Sequence, residues 1–393
     1  YQGRIWELSL GGANLIYLST KLLEFEKVKS QDKVANFLLI EEPEAHIHTH
    51  IQKTLFQKIP GLNTQVIITT HSTHISSVCK VSAMNVLSKS SNLVQVFNPS
   101  NGLGEDEISR IERYLDAVRS NLLFAKGVIL VEGDAEQILI PALIQAVFGI
   151  SLDEIGVSLI NIGSTGFKNL ATIFHQDRIN KYCSILTDLD KSILELPDDS
   201  DDDTDEQRDC RNSELSGAER KEILDEFSSK NDFVDIFYAE NTFEVQFLQA
   251  GNEAPIISLV KAQYSKKKDI DLIVSKINEA DIEVYGKEIL RLANKFGKGW
   301  FALLLSEHLN HKCKIPDYIL KALAFSIPSL NLSTIKAICS KRLTALYNDP
   351  FDGDTINYKS LLGSISKKTS KEDIISLLNE KLPEDNLTNF LSI

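Results

Sequence analysis

The sequence predicts an α/β protein in which two segments of parallel sheet are followed by a helical C-terminal region. Short apolar runs alternate with amphipathic stretches from Asn36 to Tyr238, which is the pattern of strands joined by crossover helices. From Glu253 onward the pattern is almost wholly helical. The length of 393 residues allows two or three domains with separate cores.

The composition is that of a soluble globular protein. It contains 42 basic and 55 acidic residues, a net charge of −13, and 43% hydrophobic residues. The sequence has no apolar run long enough for a membrane span and no secretory leader pattern, so we expect no membrane association. Five cysteines lack CxxC spacing, which favours a reducing cytoplasm. The acidic balance does not exclude a nucleic-acid enzyme, because net charge says little about one groove.

The first segment reads as a βαβ unit. Strands are predicted at Asn36–Ile40 and Gln65–Thr70, with an amphipathic helix at Thr49–Lys58 between them. Turn residues after Asn98 precede a helical pattern over Glu107–Phe124. We therefore expect a first domain over residues 1–100 and a connecting helix over residues 101–125.

A second alternation of strands and helices predicts another mostly parallel sheet within residues 126–312. Its strands are predicted at Gly127–Val131, Val157–Ile162, Cys183–Thr187 and Phe233–Tyr238. Helices are predicted at Asp134–Val147, Gly166–Asp177, Ala218–Ser228, Asp269–Asn278, Lys287–Lys295 and Trp300–Asn310. The acidic run Asp198–Asp209 predicts a disordered, dispensable insertion. Residues 313–393 are expected to form a helical C-terminal region without a catalytic motif.

In the first segment, polar residues follow predicted strands where α/β proteins place nucleotide chemistry. One strand ends in two carboxylates, of which one can hold Mg²⁺ through water while its neighbour polarises an attacking water. These candidate residues are Glu41, Glu42, the strand-end His71, and an early hydroxyl-glycine cluster of Ser9, Gly11 and Gly12. No GxxxxGK[ST] phosphate loop occurs, so this chain alone is not expected to bind ATP well.

In the second segment, carboxylates gather at two strand ends. Glu132 ends one predicted strand and Glu136 lies in the helix that follows, while Asp188 and Asp190 end another strand with the spacing of residues on one face. Clustered acids repel one another, so such a group usually implies bound cations. Oxygen ligands favour Mg²⁺ or Mn²⁺ over Zn²⁺. The alternative is a set of solvated surface acids.

The ordered motifs of the first segment resemble the C-terminal half of an ABC-type ATPase, and EEPEAHIHTHIQ is similar to a stretch of the SMC-like and OLD-family branch. The resemblance implies that the first half of the ATPase lies upstream. It assigns the following roles: signature loop for Ser9, Gly11 and Gly12, Walker B acid for Glu41, catalytic base for Glu42, and switch for His71. The signature departs from LSGGQ, since it reads LSLGGAN.

The acids of the second segment resemble the two motifs of the Toprim domain, a Rossmann-like parallel-sheet domain. Glu132 matches the strand-end glutamate, and Asp188 with Asp190 matches the DxD motif. Two further similarities favour the OLD (overcoming lysogenization defect) family, which includes the nuclease subunit of the Gabija system and retron-associated effectors. Glu244 follows the fourth strand, where Glu240 is an alternative, and Lys298 opens a helix, where the alternative is a surface lysine.

The resemblance covers residues 1–312 and implies a metal-dependent DNA endonuclease regulated by an ATPase module, with ATP bound in the full-length protein. It implies two Mg²⁺ or Mn²⁺ ions, one held by Glu132, Asp188 and Asp190 and the other by Glu136 and Glu244. Lys298 would neutralise charge on the scissile phosphate. The implied partners are DNA, a second copy of the chain in a homodimer or dimer of dimers, and a defence-system helicase or retron nucleic acid. The alternatives are a topoisomerase or primase, and an ATP-gated scaffold that binds DNA or a partner without cutting.

Overall fold

The computed structural model describes residues 9–28, 37–58, 65–90, 93–116, 118–163, 166–198, 200–348 and 357–393. The chain divides into two compact units. The first unit comprises Tyr1–Phe124 with Asp177–Ile179, and the second unit comprises Ala125–Gln176 with Asn180–Ile393.

The first unit contains the predicted βαβ arrangement. Its elements are α1 (Leu10–Val28), β1 (Phe37–Glu41), α2 (Thr49–Lys58), β2 (Gln65–Thr69), α3 (Thr73–Ser76), β3 (Val86–Ser90), β4 (Leu93–Phe97) and α4 (Glu105–Tyr114). Strands β1 and β2 are parallel, and Glu41 at the end of β1 is paired with Thr69. Strands β3 and β4 form a separate antiparallel pair. The prediction of two strands around a helix is therefore confirmed.

The connecting helix predicted over Glu107–Phe124 is divided into two pieces. Helix α4 ends at Tyr114, and a 3₁₀ turn follows at Arg119–Leu123. Leu115 leaves the helical conformation with a ψ of 83°. Asp116 Oδ1 then accepts hydrogen bonds from the backbone N–H groups of Val118, at 3.0 Å, and Arg119, at 2.8 Å. The aspartate thus starts a new turn, which the apolar periodicity did not indicate.

The second unit is built on a four-stranded sheet that is parallel throughout, in the order β6-β5-β7-β8. The strands lie within about one residue of their predicted bounds. They are β5 (Gly127–Val131), β6 (Val157–Asn161), β7 (Cys183–Asp188) and β8 (Val234–Ala239). Because all four strands run the same way, their carboxyl ends meet at one edge of the sheet.

Helices surround this sheet. In chain order they are α5 (Asp134–Phe148), α6 (Leu152–Ile155), α7 (Phe167–Ala171), α8 (Asp205–Ser228), α9 (Phe243–Gln249), α10 (Glu253–Gln263), α11 (Lys267–Ile277), α12 (Ile282–Phe296), α13 (Lys298–Ser306), α14 (Asp317–Ser326), α15 (Leu332–Tyr347), α16 (Tyr358–Lys367), α17 (Lys371–Lys381) and α18 (Asn386–Ser392). Helix α7 is shorter than predicted, because the chain turns after Ala171 and buries Ile173 and Phe174.

The prediction of disorder for the acidic run is wrong where the structure describes that run. Helix α8 begins at Asp205, and Thr204 caps it by accepting a hydrogen bond from the Gln207 N–H at 3.3 Å. Acidic residues in a first helical turn are favoured by the positive end of the helix dipole. Asp203 also accepts two hydrogen bonds from Arg211, at 2.6 and 2.9 Å. Dense negative charge here starts a helix.

The C-terminal helices share one hydrophobic core with the sheet. Helix α14 packs against β5, β7 and β8, and the Ser184 hydroxyl in β7 donates a hydrogen bond to the Ala322 carbonyl at 2.6 Å. The rings of Phe148 in α5 and Phe390 in α18 lie 5.5 Å apart. Among the residues that the structure describes, no helix combines the length and apolar character needed to cross a membrane.

Candidate metal centre

The carboxyl edge of the sheet in the second unit collects most of the predicted site residues. Glu132 follows β5, Asp188 ends β7, and Glu244 lies in the first turn of α9, which follows β8. Lys298 begins α13, a helix that packs against α5. The parallel topology therefore brings together residues that are up to 166 positions apart in the sequence (298 − 132).

Glu132 and Glu136 lie on either side of the corner between β5 and α5. Glu132 Oε2 accepts a hydrogen bond from the Thr187 hydroxyl at 3.2 Å, which ties the glutamate to the neighbouring strand β7. Gly133 forms the corner, and a Cβ added there would lie 3.1 Å from Glu136 Oε2. The glycine thus leaves room for the Glu136 carboxylate beside the turn.

Asp188 and Asp190 are not two residues of one strand, as the sequence argument supposed. Strand β7 ends at Asp188, whose Oδ2 accepts a hydrogen bond from the Phe243 N–H at 3.2 Å. Asp190 has a left-handed backbone, with φ of 51°, and its Oδ2 lies 2.8 Å from Nη2 of Arg220 in α8. The strand ends two residues before Asp190, so the alternation of side chains along a strand does not extend to it.

Glu244 is the most unusual carboxylate of the group. It is 4% exposed, and neither of its oxygens has a hydrogen-bond partner among the described residues. The nearest positive charge is Lys298 Nζ, 3.7 Å from Oε2. By contrast, the Glu240 side chain is 69% exposed and pairs with Lys191 at 3.6 Å. The structure thus places Glu244 in the cluster and Glu240 at the surface.

The pKa values of the cluster are shifted first by burial and then by the negative charge of neighbouring acids. Burial raises the pKa of Glu136 to about 7, with further contributions from Glu244 and Glu132. Burial, Glu136, Asp190 and Glu244 raise the pKa of Asp188 well above its ordinary value. Burial would lower the pKa of Lys298, yet the net shift is upward because the carboxylates around it favour the ammonium form. One lysine does not neutralise this group of acids.

A cation fits this environment in charge and in donor type. Buried carboxylate oxygens without hydrogen bonds, together with carboxyls whose pKa is raised by their neighbours, are the features that an oxygen-seeking divalent ion would relieve. In the described part of the chain, however, no three acidic, histidine or cysteine side chains are arranged to hold one ion. Arg220 and Lys298 instead face Asp190 and Glu244. The binding of one ion by several of these acids therefore requires their carboxylates to move closer together.

Three further residues lie at this edge and were not predicted. Arg220 pairs with Asp190, and the hydroxyl of Thr242, two residues before Glu244, is buried without a hydrogen-bond partner among the described residues. Burial raises the pKa of the Tyr318 phenol well above its ordinary value, with Asp188, Glu136 and Glu244 adding to the shift. Thr242 lies two residues before a predicted residue, whereas Tyr318 is the second residue of α14, where the sequence offers no motif.

The first unit holds the remaining predicted residues. Glu41 ends β1, and Glu42 follows with a left-handed backbone, at φ of 39°. Glu42 Oε1 lies 3.6 Å from His71 Nε2, and both side chains are exposed. Glu44, which was not predicted, accepts hydrogen bonds from the His71 N–H at 2.8 Å and from the Thr70 hydroxyl at 2.7 Å. The ends of β1 and β2 are thus joined by carboxylates.

The glycine cluster lies at the start of α1 in the same unit. The Ser9 hydroxyl accepts a hydrogen bond from the Gly12 N–H at 3.3 Å. A Cβ at Gly11 would lie 2.0 Å from the His46 carbonyl oxygen, so a side chain at this position would force the backbone apart. Gly11 therefore permits the close approach of α1 to the loop that follows β1.

Two parts of the sequence match known protein families. Residues 123–190 match the Toprim domain of proteins like the overcoming lysogenization defect protein. Residues 3–76 match an AAA ATPase domain. The first match contains Glu132, Glu136, Asp188 and Asp190, and the second contains the residues proposed for nucleotide chemistry.

Individual relatives agree with these matches. The chain is 26% identical to endonuclease GajA of Bacillus cereus (strain HuB5-5) over 227 residues, which cover 49% of this chain and 32% of GajA. It is 31% identical to the uncharacterised protein YbjD of Escherichia coli (strain K12) over 159 residues, which cover 40% of this chain and 28% of YbjD. The chain thus spans about a third of the length of these relatives.

Among solved structures, the C-terminal region of the Burkholderia pseudomallei OLD protein is similar, with 26% identity, coverage of 51% of this chain and 97% of that chain, and a TM-score of 0.38. The corresponding region of the Xanthomonas campestris pv. campestris OLD protein has 24% identity, coverage of 51% and 94%, and a TM-score of 0.36. The chain therefore contains OLD-like Toprim sequence over residues 123–190, preceded by ATPase-domain sequence over residues 3–76.

Proposed function

We propose that this protein is a metal-dependent DNA endonuclease whose Toprim centre is regulated by its ATPase module. The observation that carries the proposal is the convergence of Glu136, Asp188, Glu244 and Lys298 at one edge of a parallel sheet. Nuclease chemistry needs acids that bind divalent ions and a cation that meets the phosphate, and the clustered carboxylates and Lys298 are suited to these roles. The similarity to a protein named as an endonuclease supports the same reaction.

The ligands in this proposal are the acids of the sheet edge. Glu132, Asp188 and Asp190 would hold one Mg²⁺ or Mn²⁺ ion, and Glu136 with Glu244 would hold the second. Two such ions supply activation of the attacking water and stabilisation of the leaving oxygen of a phosphodiester. Thr187 and the Phe243 N–H orient Glu132 and Asp188 through the hydrogen bonds described above. Such outer partners fix the direction of a ligating carboxylate.

Lys298 is assigned to the phosphate. Its side chain is 52% exposed and begins α13, so it can meet a substrate while its charge is maintained by the acids below it. An ammonium at this position neutralises charge that grows on the scissile phosphate. Gly297, with φ of 86°, precedes it in a conformation that favours glycine.

The ATPase residues complete the proposal. Glu41 and Glu42 would act as metal-holding acid and catalytic base, His71 as γ-phosphate sensor, and Ser9, Gly11 and Gly12 as the loop that contacts nucleotide on a second copy. This arrangement requires a homodimer or dimer of dimers and ATP in the full-length protein. We also propose a cytoplasmic anti-phage role, with a helicase or a retron nucleic acid as possible partner classes.

A second function is favoured by one observation. Asp190 and Glu244 face Arg220 and Lys298, and no ion-holding group of three side chains is arranged among the described residues. A protein that keeps this arrangement would be an ATP-gated scaffold that binds DNA or a partner without cutting. The two functions differ in whether the acids are needed for strand cleavage.

Cleavage of supercoiled plasmid in Mg²⁺ or Mn²⁺ separates the two functions. Glu132→Gln and Asp188→Asn remove charged ligands, so each is expected to reduce cleavage at least about 100-fold, while DNA binding through phosphate contacts persists. Glu240→Gln is the matched control, because it removes an exposed acid beside the site. Cleavage by the two site variants at the wild-type rate would contradict the nuclease assignment and favour the scaffold.

A further inference from the structure

We infer that helix α8 holds the Asp188–Asp190 turn in the shape that receives a divalent cation, with Arg220 as the positioning residue. The inference rests on the proposed metal centre and adds a component that lies outside the family-matched residues 123–190. It assigns a role to the helix that begins in the acidic run.

Arg220 joins both aspartates of the turn through one nitrogen. Its Nη2 donates to the Asp188 carbonyl at 2.5 Å and to Asp190 Oδ2 at 2.8 Å. The arginine side chain is 15% exposed and that of Asp190 is 31% exposed, so water reaches the contact mainly from the side of the aspartate. A charged group that bonds backbone and carboxylate together fixes their relative orientation, and the second Asp190 oxygen is left for another partner.

Gly217, one turn earlier on α8, lets the helix reach the turn. A Cβ added to this residue would lie 2.0 Å from the Leu189 carbonyl oxygen and 2.7 Å from its carbon. Glu214, three residues earlier, accepts a hydrogen bond from the Ser192 N–H at 3.3 Å. Residues three apart lie on one helix face, so one face of α8 follows the whole turn.

The turn is held on its other side by the sheet. Leu189 N–H donates to the Ala239 carbonyl at 2.8 Å, and Lys191 N–H donates to the Glu240 carbonyl at 2.9 Å. Between these two anchors, Asp190 adopts the left-handed conformation that few non-glycine residues adopt. The α8 contacts thus act on the one residue of the turn whose backbone is unusual and whose side chain is a proposed ligand.

The positive charge of Arg220 and its positioning role predict opposite changes in ion affinity when the arginine is removed. A guanidinium beside Asp190 repels an incoming divalent cation, so removal of its charge would tighten ion binding if the arginine were only a neighbour. If the arginine positions the turn, its removal lets the Asp190 side chain move and weakens ion binding. Loss of a residue that orients a metal ligand typically lowers metal affinity on the order of 10- to 100-fold. The sign of the change therefore separates the two roles.

The test is a titration of the metal-free 393-residue chain with Mn²⁺ alone, in which the free ion is measured by electron paramagnetic resonance. Arg220→Met is expected to weaken Mn²⁺ binding about 10-fold or more. Arg220→Lys should restore part of the affinity, because it keeps a donor near the turn. Gly217→Ala changes no charge and should weaken binding in the same direction by displacing α8.

Matched variants control for charge and for helix substitution. Lys221→Met loses the same charge on the same helix, but Lys221 pairs with Asp225 away from the turn, so its Mn²⁺ affinity should stay within about twofold of wild type. Gly363→Ala adds a methyl group where no atom lies within 4 Å. Thermal melts identify any variant that fails to fold, and the Arg220 and Gly217 variants test the inference independently.

Unchanged or tighter Mn²⁺ binding in folded Arg220→Met and Gly217→Ala would overturn the inference. If wild type binds Mn²⁺ and Asp188→Asn abolishes that binding, such a result leaves the proposed metal centre intact. If wild type shows no Mn²⁺ binding that depends on Asp188, the metal centre and the inference both fail.

Discussion

At the scale of single residues, the candidate site is defined by carboxyl groups that the fold buries close together, which is unfavourable for their ionised forms. Glu136 and Asp188 have raised pKa values because of burial and of the negative charge of neighbouring carboxylates, and Glu244 is buried without a hydrogen bond among the described residues. Such an arrangement does not stabilise a fold by itself. It is instead the kind of perturbed cluster that marks functional sites.

The Glu136 carboxyl makes a pH-dependent contribution to stability. Its pKa is about 7 in the folded chain against an ordinary value of 4.5, so the folded state keeps a proton that the unfolded state releases. Stability of the metal-free protein is therefore expected to fall as pH rises from about 4.5 to about 7, and Glu136→Gln should flatten this part of the profile. We expect a difference of about 1–2 kcal/mol after allowance for partial solvent contact.

The measurement is urea unfolding of wild type and Glu136→Gln in EDTA between pH 4.5 and 7.5. The difference between their free energies of unfolding at each pH gives the contribution of Glu136. Glu240→Gln serves as the control because Glu240 is exposed outside the cluster. If the free energy of unfolding changed with pH in the same way for wild type and Glu136→Gln, the pKa of Glu136 would not be raised in the folded chain.

Lys298 allows a prediction about rate rather than binding. Lys298→Met removes the ammonium assigned to the scissile phosphate, so single-turnover plasmid cleavage should slow by a factor on the order of 10² to 10³. Mn²⁺ affinity should not fall, because the lysine is not a ligand and its positive charge lies 3.7 Å from Glu244, where it opposes cation binding. Lys295→Met, which removes a nearby charge bonded to the Tyr264 hydroxyl, is the control. A large loss of Mn²⁺ affinity with an unchanged cleavage rate would contradict this role.

At the scale of helices and strands, the sequence predicted regular elements better than their ends. Apolar runs such as Gly127–Val131 are bounded by polar residues, so both their type and their position are visible. The α8 start and the α4 break depend on capping by Thr204 and Asp116, which periodicity does not detect. The acidic run Asp198–Asp209 was interpreted as disordered, although acidic residues also favour the N-terminus of a helix.

One buried ion pair joins three of these helices. Arg342 in α15 contacts Asp385, the residue that caps α18, with a shortest distance of 2.7 Å. It also donates to the carbonyls of Val147 at the end of α5 and His311. The two side chains are only 5% and 10% exposed. Removing one partner of such a pair leaves a buried charge and unpaired carbonyls.

Arg342→Leu is therefore expected to reduce the free energy of unfolding by about 3–5 kcal/mol. Lys341→Leu at the neighbouring position breaks a half-exposed pair with Glu154 and should cost no more than about 1 kcal/mol. Leucine keeps helix propensity close to that of arginine and lysine, so the comparison isolates burial. Equal urea midpoints for the two variants would refute this account of the Arg342 pair.

At the scale of the whole molecule, topology alone predicted site residues only where they follow strand ends. Glu132 and Asp188 were predicted because the parallel sheet brings such ends to one edge, whereas Glu244 and Lys298 came from the resemblance to the OLD family. Arg220 and Tyr318 were not predicted, since they come from helices whose packing on the sheet leaves no sequence signal. The contribution of distant helices to a site is a property of tertiary packing rather than of local pattern.

The same packing makes residues 313–393 part of the fold of the second unit. Helix α14 buries Ile319, Leu320 and Leu323 to 2% exposure or less against the sheet and its neighbours. At about 1.5–3 kcal/mol for each buried side chain, these three contribute about 5–9 kcal/mol. That is comparable with the roughly 5–15 kcal/mol by which a domain is stable.

A chain that ends at Lys312 is therefore expected to lose the cooperative unfolding transition of the second unit and to expose the face of β5, β7 and β8 that α14 covers. Circular dichroism melts and size-exclusion chromatography measure these two effects. A chain that lacks only the exposed Ile393 should match wild type in both. A monodisperse Lys312-terminated chain with a sharp melt would mean that residues 313–393 form a separate domain, because the sheet could then retain its structure without α14.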